Sequence, residues 1–267
     1  LVFPSKNLGV LAIYSVLSIL ITVFALGAMV SLMTVFVNFA RHFITGTIYL
    51  VISLILGFIL SGYQISLIKS GINLDEKAPD FKWKKNLHTG IDNLFISIIY
   101  YTLPTLIVLM VGCSMNIPRN LMLVSQKAIL QANNMTVTGN ITASVVNTIS
   151  PVLNYLVSSL IITFTVAIIL FIIATILHSI AQARLANTDN VDEAANIPET
   201  INDIKQLGIV NVIGLLVLIV IVTGVIEICL SIIFNFAPYL SILSILVSPY
   251  IIFFVQRAIG LLYTDIA

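Results

Sequence analysis

The side chains able to do chemistry are few in this sequence, and their spacing keeps them apart. His42, His88 and His178 are the three histidines, and each falls on a different segment. No HExxH pair is present to hold zinc, and no GxSxG, Walker or Gly-rich dinucleotide pattern occurs. Cys113 and Cys229 have no CxxC partner, so they read as small apolar fillers rather than a metal or redox pair. The expectation is a chain with no catalytic residue, no metal centre and no cofactor: not an enzyme.

Three polar residues stand inside apolar runs and are the candidate intramembrane positions: Glu227, Asn154 and Gln64. A carboxylate in hydrocarbon is costly unless it faces protein or water, which makes Glu227 the best single functional candidate. It follows Gly208 by about 19 residues, roughly 28 Å along a helix, so it belongs near the outer boundary rather than the midplane. A transport path would require all three to line one cavity.

A second group suits the membrane surface. Trp83 stands among Lys82, Lys84 and Lys85, an aromatic ring between cations that fits headgroup depth. Asn134 and Asn140 each open an Asn-x-Thr glycosylation sequon.

The elements that must position these residues are long apolar helices. Hydrophobic residues make up 59% of the chain and charged ones 9%, with a mean hydropathy of +1.12, whereas soluble domains are about a quarter charged. Runs long enough to cross hydrocarbon lie near Leu8 to Val37, Thr47 to Ile68, Ile91 to Val111, Val152 to Ile180, Ile209 to Phe234 and Leu240 to Leu262. The first is too long for a signal-peptide core and reads as a retained helix. Pro104 and Pro249 fall inside the third and sixth runs, where each should kink its helix. Pairs at four-residue spacing, Gly27 with Ser31 and Ser53 with Gly57, predict close helix approach. The fold class expected is all-α: a polytopic helical membrane protein of six transmembrane helices, forming a single transmembrane domain over 1–267.

Basic residues set the orientation, because cytoplasmic loops retain Lys and Arg. Lys6, Lys69, Lys77, Lys82, Lys84, Lys85, Arg184, Lys205 and Arg257 fall on one side; Arg41, Arg119 and Lys127 fall on the other. Both termini are therefore expected in the cytoplasm of a multi-pass cell-membrane protein. The segment 113–150, which carries both sequons, is then an outer-face insert. The net charge of +1 gives no reason to expect nucleic acid as a partner. Membrane lipids are the partners expected, with a protein partner or a homo-oligomer left open.

Three similar stretches precede the first, third and fifth runs: Lys6-Asn-Leu-Gly9, Lys85-Asn-Leu-His-Thr-Gly90 and Lys205-Gln-Leu-Gly208. Their spacings nearly match once the 113–150 insert is set aside, and Lys69, Arg184 and Arg257 end the second helix of each unit. The pattern predicts three tandem hairpin repeats, 1–78, 79–195 and 196–267, with cytoplasmic interfacial helices. One such helix is amphipathic: Ile197, Ile201, Ile204 and Leu207 share a face, with Pro198 near its start and Gly208 after its end.

Gly62-Tyr63, then Lys69, Asp75-Glu76 and Pro79, together with the closing Arg257-Ala-Ile-Gly-Leu-Leu-Tyr263 and the entry Phe3-Pro-Ser5, make the chain resemble an archaeal membrane-protein family catalogued as domain of unknown function 4013. The resemblance covers nearly the whole chain. It implies an archaeal cell envelope and supplies no activity, substrate or site residue. The function expected from the residues is a non-catalytic module that organises a partner or accommodates a lipid-like ligand. The alternative is a transporter or channel for a small solute.

Overall fold

A computed structural model of the chain describes residues 2–36, 38–138, 143–237, 239–240 and 244–267, with side chains described outside residue 2, 127–128 and 130–150. In chain order the helices are α1 (Val2–Ser5), α2 (Leu8–Met33), α3 (Phe39–Ile72), α4 (Trp83–Ser114), α5 (Ile117–Thr138), α6 (Ala143–Thr188), α7 (Val191–Ala195), α8 (Ile197–Leu207), α9 (Ile209–Phe236) and α10 (Ser244–Tyr263). Among the described residues, six helices are long and apolar enough to cross a membrane: α2, α3, α4, α6 from Pro151, α9 and α10. The protein is an all-α polytopic membrane protein. Pro104 and Pro249 both lie inside helices, α4 and α10.

Helices and apolar runs do not end together. The apolar stretch of α3 ends near Ile68, yet the helix continues to Ile72; α4 begins at Trp83, well before the apolar run; α6 continues past Ile180 to Thr188. Hydropathy marks where a helix meets lipid, whereas backbone hydrogen bonding continues as long as neighbouring contacts support it. The first helix departs the other way. It stops at Met33, and α3 starts at Phe39 behind Asn38, whose side chain accepts from the Arg41 amide.

The chain divides into two compact units, one of residues 1–98 and 176–267 and the other of residues 99–175, a division that cuts through α4 and α6. The first unit is built on α2, α3 and α10, which bury Leu11, Tyr14, Leu17, Leu60, Tyr63, Leu67 and Phe253 against one another. Tyr14 meets Phe253 edge-on at 5.5 Å, and Tyr63 stacks on Phe81 at 4.9 Å. In the second unit, the first helical turn of α5 follows the end of α4 through Asn116, whose φ is +53°.

Close helix approach uses Gly27 and Ser31, as expected, and further glycines besides. A Cβ on Gly62 would lie 1.8 Å from the Asn86 carbonyl oxygen, and one on Gly90 1.8 Å from that of Phe58, so α3 and α4 touch through backbone. Gly71 and Gly260 do the same for α3 and α10; a Cβ on Gly260 would lie 2.2 Å from the Ile68 oxygen. Small residues permit such contacts, where Cα–H groups approach carbonyl oxygens. A Cβ on Gly27 would lie 2.8 Å from the Tyr49 ring of α3, whereas one on Gly57 would meet nothing within 4 Å among the described residues.

Candidate functional site

One end of the first unit carries most of its polar chemistry. The ends of α3, α6 and α10 meet there with α1, the start of α4, and α7 and α8. Asn190 and Asn196 cap α7 and α8, each accepting a backbone N–H, and Gly208 at φ +84° lets the chain turn from α8 into α9.

The three basic residues ending the second helix of each expected hairpin all bind a neighbouring element. Lys69 at the end of α3 donates to Asp189, just after α6, at 2.5 Å. Arg184 near the end of α6 donates through Nη1 to both oxygens of Asp203 on α8, at 2.9 and 2.8 Å. Tyr263 at the end of α10 donates to the same carboxylate at 2.7 Å. Arg257 on α10 donates to the Ser70 carbonyl on α3 and lies 4.5 Å over the Phe3 ring. The bonds thus run from α3 to the post-α6 turn, from α6 to α8, from α8 to α10, and from α10 back to α3. Asp203 is buried, so its charge is stabilised only by these donors.

Between α3, α4 and α6 runs a string of polar side chains. Asn93 donates to Ser61 Oγ at 2.8 Å and accepts from Gln182 of α6 at 3.1 Å. Ser97 lies 2.9 Å from His178 Nε2. The same Ser97 hydroxyl donates to the Asn93 carbonyl at 2.8 Å, so Nε2 acts as donor to Ser97. That polarity is the reverse of a general base awaiting a hydroxyl proton.

Beside Lys69 a polar pocket of about 300 Å³ opens between the end of α3 and the start of α4. Lys69, Lys82, Lys85, Asn86, Asp75 and Asp80 contribute to its wall.

The predicted residues scatter. Gln64 donates to the Tyr14 hydroxyl at 2.7 Å and accepts from Gln256 at 3.5 Å, a helix-to-helix bond in the first unit. Glu227 is exposed on α9, with no hydrogen-bond or ion-pair partner among the described residues. Asn154 is exposed on α6 in the second unit. Trp83 and its three lysines are exposed at the start of α4, with the Trp83 ring edge-on to Phe81 at 4.9 Å. Asn140 lies outside the described residues; the Asn134 backbone belongs to α5, and its side chain lies outside them. Cys113 and Cys229 are free and exposed. Among the described residues no three His, Cys, Asp or Glu gather as a metal site.

On α8 the side packed against protein is not the isoleucine face. Thr200, Asp203 and Leu207 form its buried side, whereas Ile197 and Ile201 remain exposed. Sequence reasoning passed over Asp203 and the α4 amides. For the amides a signal existed: Asn86, Gly90, Asn93 and Ser97 recur with the helical period as a small and polar stripe on an apolar helix.

A family model described as protein of unknown function (DUF4013) matches residues 45–235. No curated protein and no solved structure matches the chain.

Proposed function

The chain belongs to the DUF4013 family of proteins of unknown function, and from that premise we propose that it is a non-catalytic membrane module that accommodates a lipid-like ligand, with its lysine-bearing end in the cytoplasm. The observation that carries this reading lies in the second unit. There α4, α5 and α6 border an open groove of about 330 Å³, lined by side chains such as Val108, Leu109, Ile117, Leu160, Phe164 and Ala167. Gly112 leaves room beside it, since a Cβ there would meet only Ile117 and Thr163, both at 3.8 Å. The one hydroxyl of the lining, on Thr163, donates to the Ser159 carbonyl of its own helix at 2.8 Å.

An apolar cleft beside the membrane-crossing α4 and α6, whose only other polar group is the weakly polar Cys113 thiol, offers mainly dispersion contacts, which suits an acyl chain and gives little to orient a reacting polar substrate. The exposed Ile197 and Ile201 of α8 fit contact with the headgroup layer, as does Trp83. Lipids retained through purification, compared with the bulk lipids of the same membrane, test the reading. One species enriched at a fixed stoichiometry is expected. Retained lipids that mirror the bulk in composition and vary in number would overturn it.

A further inference from the structure

We infer that the pocket between the end of α3 and the start of α4 binds a phosphate-bearing headgroup. The inference rests on the lipid-ligand reading and names the chemistry of the headgroup. Three lysines line the pocket, but they are not equivalent. Lys69 is held by Asp189 at 2.5 Å, and Lys85 reaches the other oxygen of that carboxylate only at 3.9 Å. Lys82 forms no ion pair among the described residues. Two cations therefore remain available to an incoming anion.

The second observation is Asn86. Asn86 belongs to the pocket wall and is 1% exposed, yet its amide nitrogen Nδ2 has no hydrogen-bond partner among the described residues. A buried donor left unsatisfied costs about 1–3 kcal/mol, so a native one points to an acceptor that completes it. Its Oδ1 lies 3.5 Å from Ser66 Oγ, whose proton has the Gly62 carbonyl closer at 3.3 Å, and the nitrogen is the donor still available. Asn86 also lies in the first turn of α4, where the amides of Trp83, Lys84 and Lys85 precede the first intrahelical bond, donated by the Asn86 amide to Lys82. Two lysines and one side-chain amide line the pocket beside the first turn of a helix, a combination that suits a phosphate.

Asp75 and Asp80 line the same pocket and form no ion pair with its lysines among the described residues. Both charge signs in one pocket suit a phosphodiester carrying hydroxyls or an ammonium better than inorganic phosphate. The volume of about 300 Å³ is at the lower end of small-molecule pockets. Trp83, one residue from Lys82 and half-exposed, places the site at headgroup depth.

The test uses the full chain in nanodiscs of a neutral, phosphorus-free glycolipid, with the fluorescence of Trp83, the sole tryptophan, as the readout. Phosphatidylglycerol is titrated into the discs in one arm; inorganic phosphate and glycerophosphoglycerol are added to the buffer in the others. A saturable change with phosphatidylglycerol is expected, weakened at least tenfold in the double variant Lys82→Gln/Lys85→Gln and in Asn86→Leu. The lysine variant alters only exposed side chains and keeps the fold if Asn86→Leu does not. Saturation by glycerophosphoglycerol or inorganic phosphate at equal concentration would assign the same site to a soluble phosphate. No saturable response in any arm, or one that both variants leave unchanged, overturns the inference. Lipid retention in the α4–α6 groove, measured on the same samples, then shows whether the broader reading survives.

Discussion

Arg184 and Asp203 meet through a single guanidinium nitrogen, Nη1, which reaches both carboxylate oxygens at 2.9 and 2.8 Å and so fastens the extended end of α6 to α8. Both side chains are largely withdrawn from solvent, at 16% and 9% exposure. Removing one partner leaves a poorly solvated charge, and the loss should exceed that of a surface pair.

Asp203→Asn should therefore destabilise the protein by roughly 3 kcal/mol. Tyr263→Phe removes one hydrogen bond to the same carboxylate and should cost about 2 kcal/mol. Thermal unfolding in one detergent, with both single variants and the double variant, measures this. The two effects should sum to more than the double variant loses, because they act on one carboxylate. Additive losses would contradict a shared network.

The glycines separate by what surrounds them. Gly62→Ala and Gly260→Ala would drive a methyl into the Asn86 and Ile68 carbonyls, and each should lower stability by about 3 kcal/mol or prevent folding. Gly57→Ala, with nothing within 4 Å, should be neutral or stabilising by up to about 1 kcal/mol through helix propensity. Unfolding midpoints in the same ranking as Gly57→Ala for all three would remove the backbone contacts from the account.

These positions show what was legible from sequence. Six spans, the bounds of α8 at Pro198 and Gly208, and the basic residues at helix ends follow from composition and local chemistry, because burial in lipid and helix termination leave local signatures. The family-like residues Gly62, Tyr63, Pro79, Arg257, Gly260 and Tyr263 were visible as a pattern without a role. In the structure they fasten helix ends: Tyr63 donates to the Pro79 carbonyl at 3.0 Å, and Gly260 lies against α3. Asp203 was not legible, since its partners Arg184 and Tyr263 are distant in sequence. The pocket at Asn86 was hidden for the same reason: an unsatisfied donor is a property of the packed state.

Glu227 separates the lipid reading from transport. It is exposed on α9 without a partner among the described residues, so Glu227→Gln should leave stability equal or slightly raised, the charge no longer needing solvation at the edge of the hydrocarbon. Ion or solute flux through reconstituted protein should not change. A substrate-dependent flux abolished by this variant would favour the transporter.

Orientation is tested by cysteine labelling in intact cells, after the exposed Cys113 and Cys229 are replaced by alanine. An impermeant maleimide should miss cysteines placed at Lys84 and Lys205 and should label one at Asn134. Labelling at Lys84 from outside would invert the topology.

If the groove of α4, α5 and α6 holds a lipid chain, filling the groove should expel the lipid. Ala167→Phe puts a bulky side chain on the lining of the groove and alters no residue of the first unit. Native mass spectrometry of the wild type and this variant, released from the same detergent, should show one lipid-bound species on the wild type and its loss on the variant at an unchanged unfolding midpoint. Equal lipid occupancy on both proteins, or none on either, would contradict the account.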